Sequence, residues 1–188
     1  MLRRLIERAV FIHGNQTRHW SFSWAPWLQA QCQTLGMATF FETMPDSIIA
    51  LAQYWLPFLR EHIGLGERDV VMGWSSGAVA AMRYAETQRL GGAVLVSPCH
   101  TDLGDELEKT SGYYDQPWQW EAIRSNVAHG PIQLLSGTDD PFIPQQEFAH
   151  IAEQLQARWT QVPQAGHFIE RVEFAEGLAA LRQVMEPG

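Results

Sequence analysis

Short apolar runs alternate with longer stretches of helical periodicity from one end of the chain to the other. The apolar runs fall at residues 9–13, 38–41, 69–72, 93–97, 132–135 and 159–162. Each is brief and mostly apolar, the pattern of parallel strands covered on both faces. Between them the period changes. Trp24, Trp27, Leu28, Cys32 and Leu35 fall at i, i+3, i+4, i+8 and i+11, which is one face of a helix. Further helical stretches are predicted at 47–62, 76–89, 120–126, 145–157 and 172–184. This alternation predicts an α/β fold, a doubly wound parallel sheet of about six strands with helices on both faces. No repeat, low-complexity tract or linker interrupts it, so residues 1–188 read as a single domain.

One connection is too long to be passive. Between residues 98 and 130 the chain shows only one short helical pattern, and connections this long in a compact domain usually serve function. It carries Tyr113, Tyr114, Trp118 and Trp120. It also leaves the C-terminal end of a strand, the edge where parallel sheets bind ligands. Trp118 and Trp120 are therefore candidates for the wall of a substrate pocket; the alternative is that they anchor the connection to the body.

Charge removes several function classes. Lys and Arg number 13 against 21 Asp and Glu, a net charge of −8, and the single lysine is Lys109. A phosphate backbone needs a positive footprint, so no nucleic-acid partner is expected. Cys32 and Cys99 form no C-x-x-C pair, which argues against a disulfide framework, a zinc site or a redox site; they read as small buried hydrophobes. Glu7 and Arg8 break the apolar region a signal peptide needs, and runs such as Ile48-Ile49-Ala50-Leu51-Ala52 are far too short to span a bilayer. The expectation is a cytoplasmic protein with no membrane partner.

The sharpest chemical signal is Gly73-Trp74-Ser75-Ser76-Gly77, between the apolar run Asp69-Val70-Val71-Met72 and the helical run Ala78-Val79-Ala80-Ala81-Met82. A G-x-S-x-G sequence between strand and helix is a nucleophile elbow. The turn is too tight for flanking side chains, and the helix behind it points amide dipoles at the reacting centre. A serine nucleophile needs a base, and the base an orienting acid, in the chain order serine, acid, histidine. Ser136-Gly137-Thr138-Asp139-Asp140-Pro141 follows the fifth predicted strand, and Pro163-Gln164-Ala165-Gly166-His167-Phe168 follows the sixth. Both loops leave the same sheet edge as Ser75. His167 is the candidate base: His150 falls within a helical pattern, and His100 and His129 lie in the long connection without such a frame. Asp139 rivals Asp140 as the acid; Asp140 is preferred because a residue before proline is held extended.

Two backbone N–H groups should stabilise an oxyanion. One belongs to Ser76, directly after the nucleophile. The other should come from the loop His13-Gly14-Asn15-Gln16 after the first strand, assigned to Asn15 with Gln16 next in line. Gln16 is also a pocket candidate. No cluster has metal-ligand spacing, and no metal or cofactor is expected.

These residues resemble the retinoblastoma-binding protein 9 family of small, capless α/β-hydrolase-fold serine hydrolases, over nearly the whole chain. The matching segments include Met44-Pro45-Asp46, Trp55-Leu56-Pro57-Phe58, Ser75-Ser76-Gly77-Ala78, Ala81-Met82-Arg83-Tyr84-Ala85-Glu86-Thr87, Asp102-Leu103-Gly104-Asp105-Glu106, Ser111-Gly112-Tyr113, Pro117-Trp118-Gln119-Trp120-Glu121, Thr138-Asp139-Asp140-Pro141-Phe142 and Gly166-His167-Phe168. The resemblance implies nucleophile Ser75, acid Asp140 and base His167, strand order 2-1-3-4-5-6, no large cap domain, and hydrolysis of small carboxylic esters or amides. A hydrolase-like interaction module without turnover is the rival reading. Trp74 stands where the family usually has His, and the loop after Gly14-Asn15 lacks the usual glycine run. The L-x-C-x-E motif associated with retinoblastoma-type pocket proteins is absent, since that stretch reads Ile63-Gly64-Leu65-Gly66-Glu67, so such a partner is not expected.

Overall fold

The computed structural model describes residues 6–186. The signal-peptide reading also involves residues 1–5, which lie outside that range. Six strands form one parallel sheet: β1 (Arg8–Ile12), β2 (Ala38–Phe41), β3 (Asp69–Trp74), β4 (Gly92–Val96), β5 (Gln133–Gly137) and β6 (Arg158–Val162), in the order β2-β1-β3-β4-β5-β6. β3 lies near the centre, with all six residues buried, while β6 is an edge strand exposed along most of its length. The helices are α1 (Ala25–Thr34), α2 (Ala52–Pro57), α3 (Ser76–Ala85), α4 (Glu106–Thr110), α5 (Trp120–Asn126), α6 (Gln145–Leu155) and α7 (Ala175–Met185).

Alternation along the strands divides the core in two, because successive side chains point to opposite faces. Val10, Ile12, Val71 and Leu95 pack with Trp55 of α2, Ala78 to Ala85 of α3, Ile123 of α5 and Phe148 and Ile151 of α6. Phe11, Met72, Val94 and Val96 pack with Leu28 and Cys32 of α1 and Leu181 and Val184 of α7. Among the described residues no helix is long and apolar enough to cross a membrane, and no large cap domain interrupts the sheet.

The predicted helix over 47–62 forms only in its second half. Asp46 and Ala50 adopt positive φ, the Leu51 N–H bonds to the Asp46 carboxylate, and the carbonyls of Ser47 and Ile48 accept from Thr17 and Gln16. Those carbonyls brace the loop after β1 instead of continuing a helix. Farther on, Pro57 lacks an N–H and α2 widens into a π-helical turn over Phe58–His62. The long connection holds an element the pattern did not predict, α4. It is capped by Asp105, whose Oδ1 accepts from the N–H groups of Leu107 and Glu108.

Candidate active site

Ser75 sits where β3 breaks into α3, with φ 55° and ψ −123°. A non-glycine residue in that region is strained, and such strain collects at functional sites. Its N–H donates to Val96 of the neighbouring strand at 2.8 Å, and its carbonyl accepts from Ala78 at 2.9 Å, so strand and helix both grip the turn. The flanking glycines are steric necessities. A Cβ on Gly73 would lie 2.5 Å from the Gly77 carbonyl, and one on Gly77 would run into the backbone of Ile12 and His13.

The two later loops meet beside it. His167 Nδ1 lies 2.8 Å from Asp140 Oδ2, with side chains 7% and 0% exposed. An ionised carboxylate only accepts, so Nδ1 carries a proton, and in the neutral ring the lone pair is on Nε2. Asp140 Oδ2 also accepts from Ser97 Oγ at 3.0 Å, while Oδ1 accepts from the N–H groups of Phe142 at 3.0 Å and Ile143 at 3.1 Å. Burial by itself raises the Asp140 pKa; the hydrogen bond and charge of His167, with the two backbone donors, outweigh it and hold the carboxyl below its ordinary value. Asp139 points elsewhere, accepting from the Gly166 N–H at 2.9 Å, so the two adjacent acids divide between the ring of His167 and the loop that carries it. Trp74 adds a third fastening, its indole N–H donating to the His167 carbonyl at 3.0 Å.

The loop after β1 runs against the serine: a Cβ on Gly14 would lie 3.1 Å from Ser75 Cβ. His13 shapes this loop. Its Nε2 accepts from Met44 N–H at 2.8 Å, so Nδ1 is the donor to the Gly14 carbonyl at 2.7 Å. Burial lowers the His13 pKa and favours that neutral ring. The Gln16 N–H donates to the Ile48 carbonyl at 3.0 Å and is thereby occupied.

Gly14, Asn15, Gln16, Trp74, Ser75, Ser76 and His167 line one cleft of about 560 Å³. Phe22, Phe142 and Ile169, all substantially exposed, add apolar surface to it. The opposite wall comes from the long connection, through Leu103, Asp105, Leu107 and Glu108, with Cys99 beside them. Glu108 accepts from Asn15 Nδ2 at 2.8 Å and from the Tyr114 hydroxyl at 3.0 Å. Burial pushes its carboxyl above the ordinary value, against the opposing hydrogen bonds of Tyr114 and Asn15. Burial likewise raises the Cys99 thiol, and that of Cys32 up to about 11; both cysteines are free.

Trp118 and Trp120 do not line the cleft, which corrects the pocket expectation. Trp118 covers the Arg83 guanidinium at 3.6 Å, donates to the His100 carbonyl at 2.8 Å and stacks on Trp120 at 5.2 Å. Arg83 of α3 also donates to the carbonyls of Tyr113 and Gln116. The two indoles thus belong to the seam that fastens the connection to the body. His150 stacks on His100 at 4.1 Å, and neither lines the cleft. Sequence reasoning passed over Glu108, Ser97 and His13. For Glu108 a signal existed, since Asp105 and Glu108 have the spacing of a capping box.

Comparison with solved structures gives this architecture its class. The ydeN gene product from Bacillus subtilis matches with a TM-score of 0.83 and 24% identity, over 94% of this chain and 97% of that one. Est1E from Butyrivibrio proteoclasticus matches with a TM-score of 0.74 and 14% identity, over 97% and 90%. The fold is that of the α/β-hydrolases. Sequence narrows it further. A serine hydrolase family model matches residues 10–184, and Serine hydrolase RBBP9 from Rattus norvegicus is 37% identical over 182 residues, 96% of each chain. The protein belongs to the serine hydrolase family.

Proposed function

We propose that the protein hydrolyses small carboxylic esters, with amides as the neighbouring substrate class, through a Ser75–His167–Asp140 triad. The observation that carries this reading is His167, paired with the buried Asp140, on the same cleft as a serine held on a strained strand-to-helix turn. Ser75 Oγ attacks the substrate carbonyl while its proton passes to Nε2 of His167. Asp140 accepts from Nδ1–H throughout, fixing the tautomer and stabilising the imidazolium. The tetrahedral oxyanion is received by the N–H groups of Asn15 and Ser76, and the occupied Gln16 N–H supports the choice of Asn15. His167 then returns the proton to the departing alcohol or amine, leaving an acyl-enzyme. Water attacks the acyl group, His167 takes its proton, and the acid leaves as Ser75 is restored. The apolar side chains of Phe22, Phe142 and Ile169 suit an uncharged acyl or alkyl group.

The test pairs Ser75→Ala with Ser76→Ala, assayed on p-nitrophenyl esters of graded chain length and by fluorophosphonate labelling. Ser75→Ala should lose both activities, with a fall in kcat of about 10⁴-fold or more, while Ser76→Ala stays far milder because only its backbone acts. Retention of more than about a tenth of wild-type turnover by Ser75→Ala overturns the nucleophile assignment. A wild-type protein that neither labels nor turns over any ester or amide would favour the interaction-module reading.

A further inference from the structure

The cleft contains a carboxylate that this hydrolytic scheme does not use. Glu108 reaches in from α4, and both its oxygens are taken: Oε1 by the Asn15 side-chain amide at 2.8 Å, Oε2 by the Tyr114 hydroxyl at 3.0 Å. Behind them Cys99 Sγ pairs with the Tyr114 hydroxyl at 3.0 Å. The chain of contacts runs from the end of β4, through the long connection, to the loop after β1. On that loop, Gln16 and Thr17 are bound through their backbone N–H groups to the carbonyls of Ile48 and Ser47, and Gly14 is held from behind by His13. Asn15 lies between these anchors: the Gly14 carbonyl that His13 holds is in the same peptide as the Asn15 N–H, the Asn15 carbonyl accepts from Thr17 Oγ1, and Glu108 holds the side chain.

We infer that Glu108 is a positioning residue of the oxyanion hole: His13 holds the carbonyl end of the Gly14–Asn15 peptide, and Glu108, by holding the Asn15 side-chain amide, fixes its other end, so that the N–H stays aimed at the developing negative charge. The inference rests on the Ser75 scheme and deepens it, because the hole is then completed by α4 rather than by the β1 loop alone. The chemistry of the partners explains the residue type. Asn15 Nδ2 and the Tyr114 hydroxyl are both donors, and an ionised carboxylate accepts from both without competing. A glutamine can keep the Asn15 bond through Oε1, because the Tyr114 hydroxyl can rotate to accept from its amide. An alanine keeps nothing.

The experiment compares Glu108→Ala, Glu108→Gln, Asn15→Ala and the double variant Glu108→Ala/Asn15→Ala, with Ser75→Ala as reference. Asn15→Ala retains the backbone N–H and removes only the clamped amide. Each is assayed for kcat and KM on one p-nitrophenyl ester and for inhibition by an alkyl trifluoromethyl ketone, whose hemiketal carries the oxyanion. Losing one oxyanion donor costs about 10²–10³-fold, so a donor misaligned but present should cost roughly 10–50-fold. Glu108→Ala should show that loss in kcat with KM within about threefold, and the ketone inhibition constant should weaken in parallel. Glu108→Gln should stay within about threefold of wild type. If Glu108 acts through Asn15, the double variant should be within about twofold of Asn15→Ala alone. The inference is overturned if folded Glu108→Ala retains wild-type kcat, if Glu108→Gln is as impaired as Glu108→Ala, or if the two single losses multiply in full. Should Glu108→Ala not fold, Asn15→Ala decides: it must reproduce the loss, and wild-type kcat there refutes the clamp. Failure of the underlying scheme is a separate result, since Ser75→Ala would then keep its turnover, and the inference would fall with it.

Discussion

Replacing Asp140 by asparagine changes one atom and should nearly abolish turnover, while the same change at Asp139 should barely register. The difference follows from the bonds each acid accepts. Asp140 receives four donors: Phe142 and Ile143 N–H on Oδ1, Ser97 Oγ and His167 Nδ1 on Oδ2. An asparagine has one acceptor oxygen, and the two fixed backbone donors claim it. Its NH₂ group then faces Ser97, whose hydroxyl can rotate to accept, and His167, which can accept only by moving its proton from Nδ1 to Nε2. In that tautomer Nε2 no longer takes the proton of Ser75. The corresponding loss in a Ser-His-Asp triad is about 10⁴-fold in kcat, or roughly 5.5 kcal/mol of transition-state stabilisation. Asp139 accepts one bond, from Gly166 N–H at 2.9 Å, which an asparagine oxygen accepts equally well. Its loss should stay within about threefold, the difference between a neutral and a charge-assisted hydrogen bond on an exposed loop. Both variants would be assayed on one p-nitrophenyl ester, with fluorophosphonate labelling as a second readout and circular dichroism to confirm folding. A larger loss at Asp139 than at Asp140, or an Asp140→Asn variant within tenfold of wild type, would refute the tautomer argument.

Two further outcomes are expected. Trp118→Ala should leave kcat and KM unchanged but lower stability by about 1–3 kcal/mol, seen as a fall of several degrees in Tm, because it uncovers Arg83 and removes the stack with Trp120; altered chain-length preference at unchanged Tm would return the ring to the pocket wall. Glu108→Gln should gain in Tm relative to the wild type as pH rises from acid to neutral. Its carboxyl is held above the ordinary value by burial, so the stability it contributes is complete at acid pH and lost as pH rises through the folded pKa. The gain from glutamine should therefore shrink as pH falls into the ordinary carboxylate range, and a gain that grew on acidification would contradict the assignment.

The strands were legible because burial on both faces leaves an unmixed apolar signal: β2 keeps both its predicted ends, and so does α5. β3 runs two residues past its apolar stretch because Gly73 and Trp74 pair with β4 before the turn. The helix over 47–62 was over-read because periodicity cannot register that the Ser47 and Ile48 carbonyls are needed by another loop. α4 escaped because Glu106, Leu107, Glu108, Lys109 and Thr110 show no apolar face, and Leu107 and Glu108 are only partly buried. Ser75, Asp140 and His167 could be brought to one sheet edge because each follows a readable strand. Glu108 and Asn15 are 93 residues apart and meet only through the path of the long connection, which no local pattern encodes. Aromatic side chains on that connection suit a pocket wall and an anchor alike; Arg83 on another helix decides for Trp118.

The candidate base follows β6, the exposed edge of the sheet, and edge strands are where a fold opens first. Yet the ties on His167 and its loop lead inward. Trp74 on β3 holds the carbonyl, Asp139 beyond β5 holds the Gly166 N–H, and Asp140 holds the ring. The strand delivers the histidine, and its more interior neighbours keep it in register. None of these three ties is made by a residue of β6. Arg158, Thr160 and Gln161, which face solvent on that strand, are released from any duty of aiming the histidine. The machinery that the outermost strand leads into is aligned by residues that the strand does not carry.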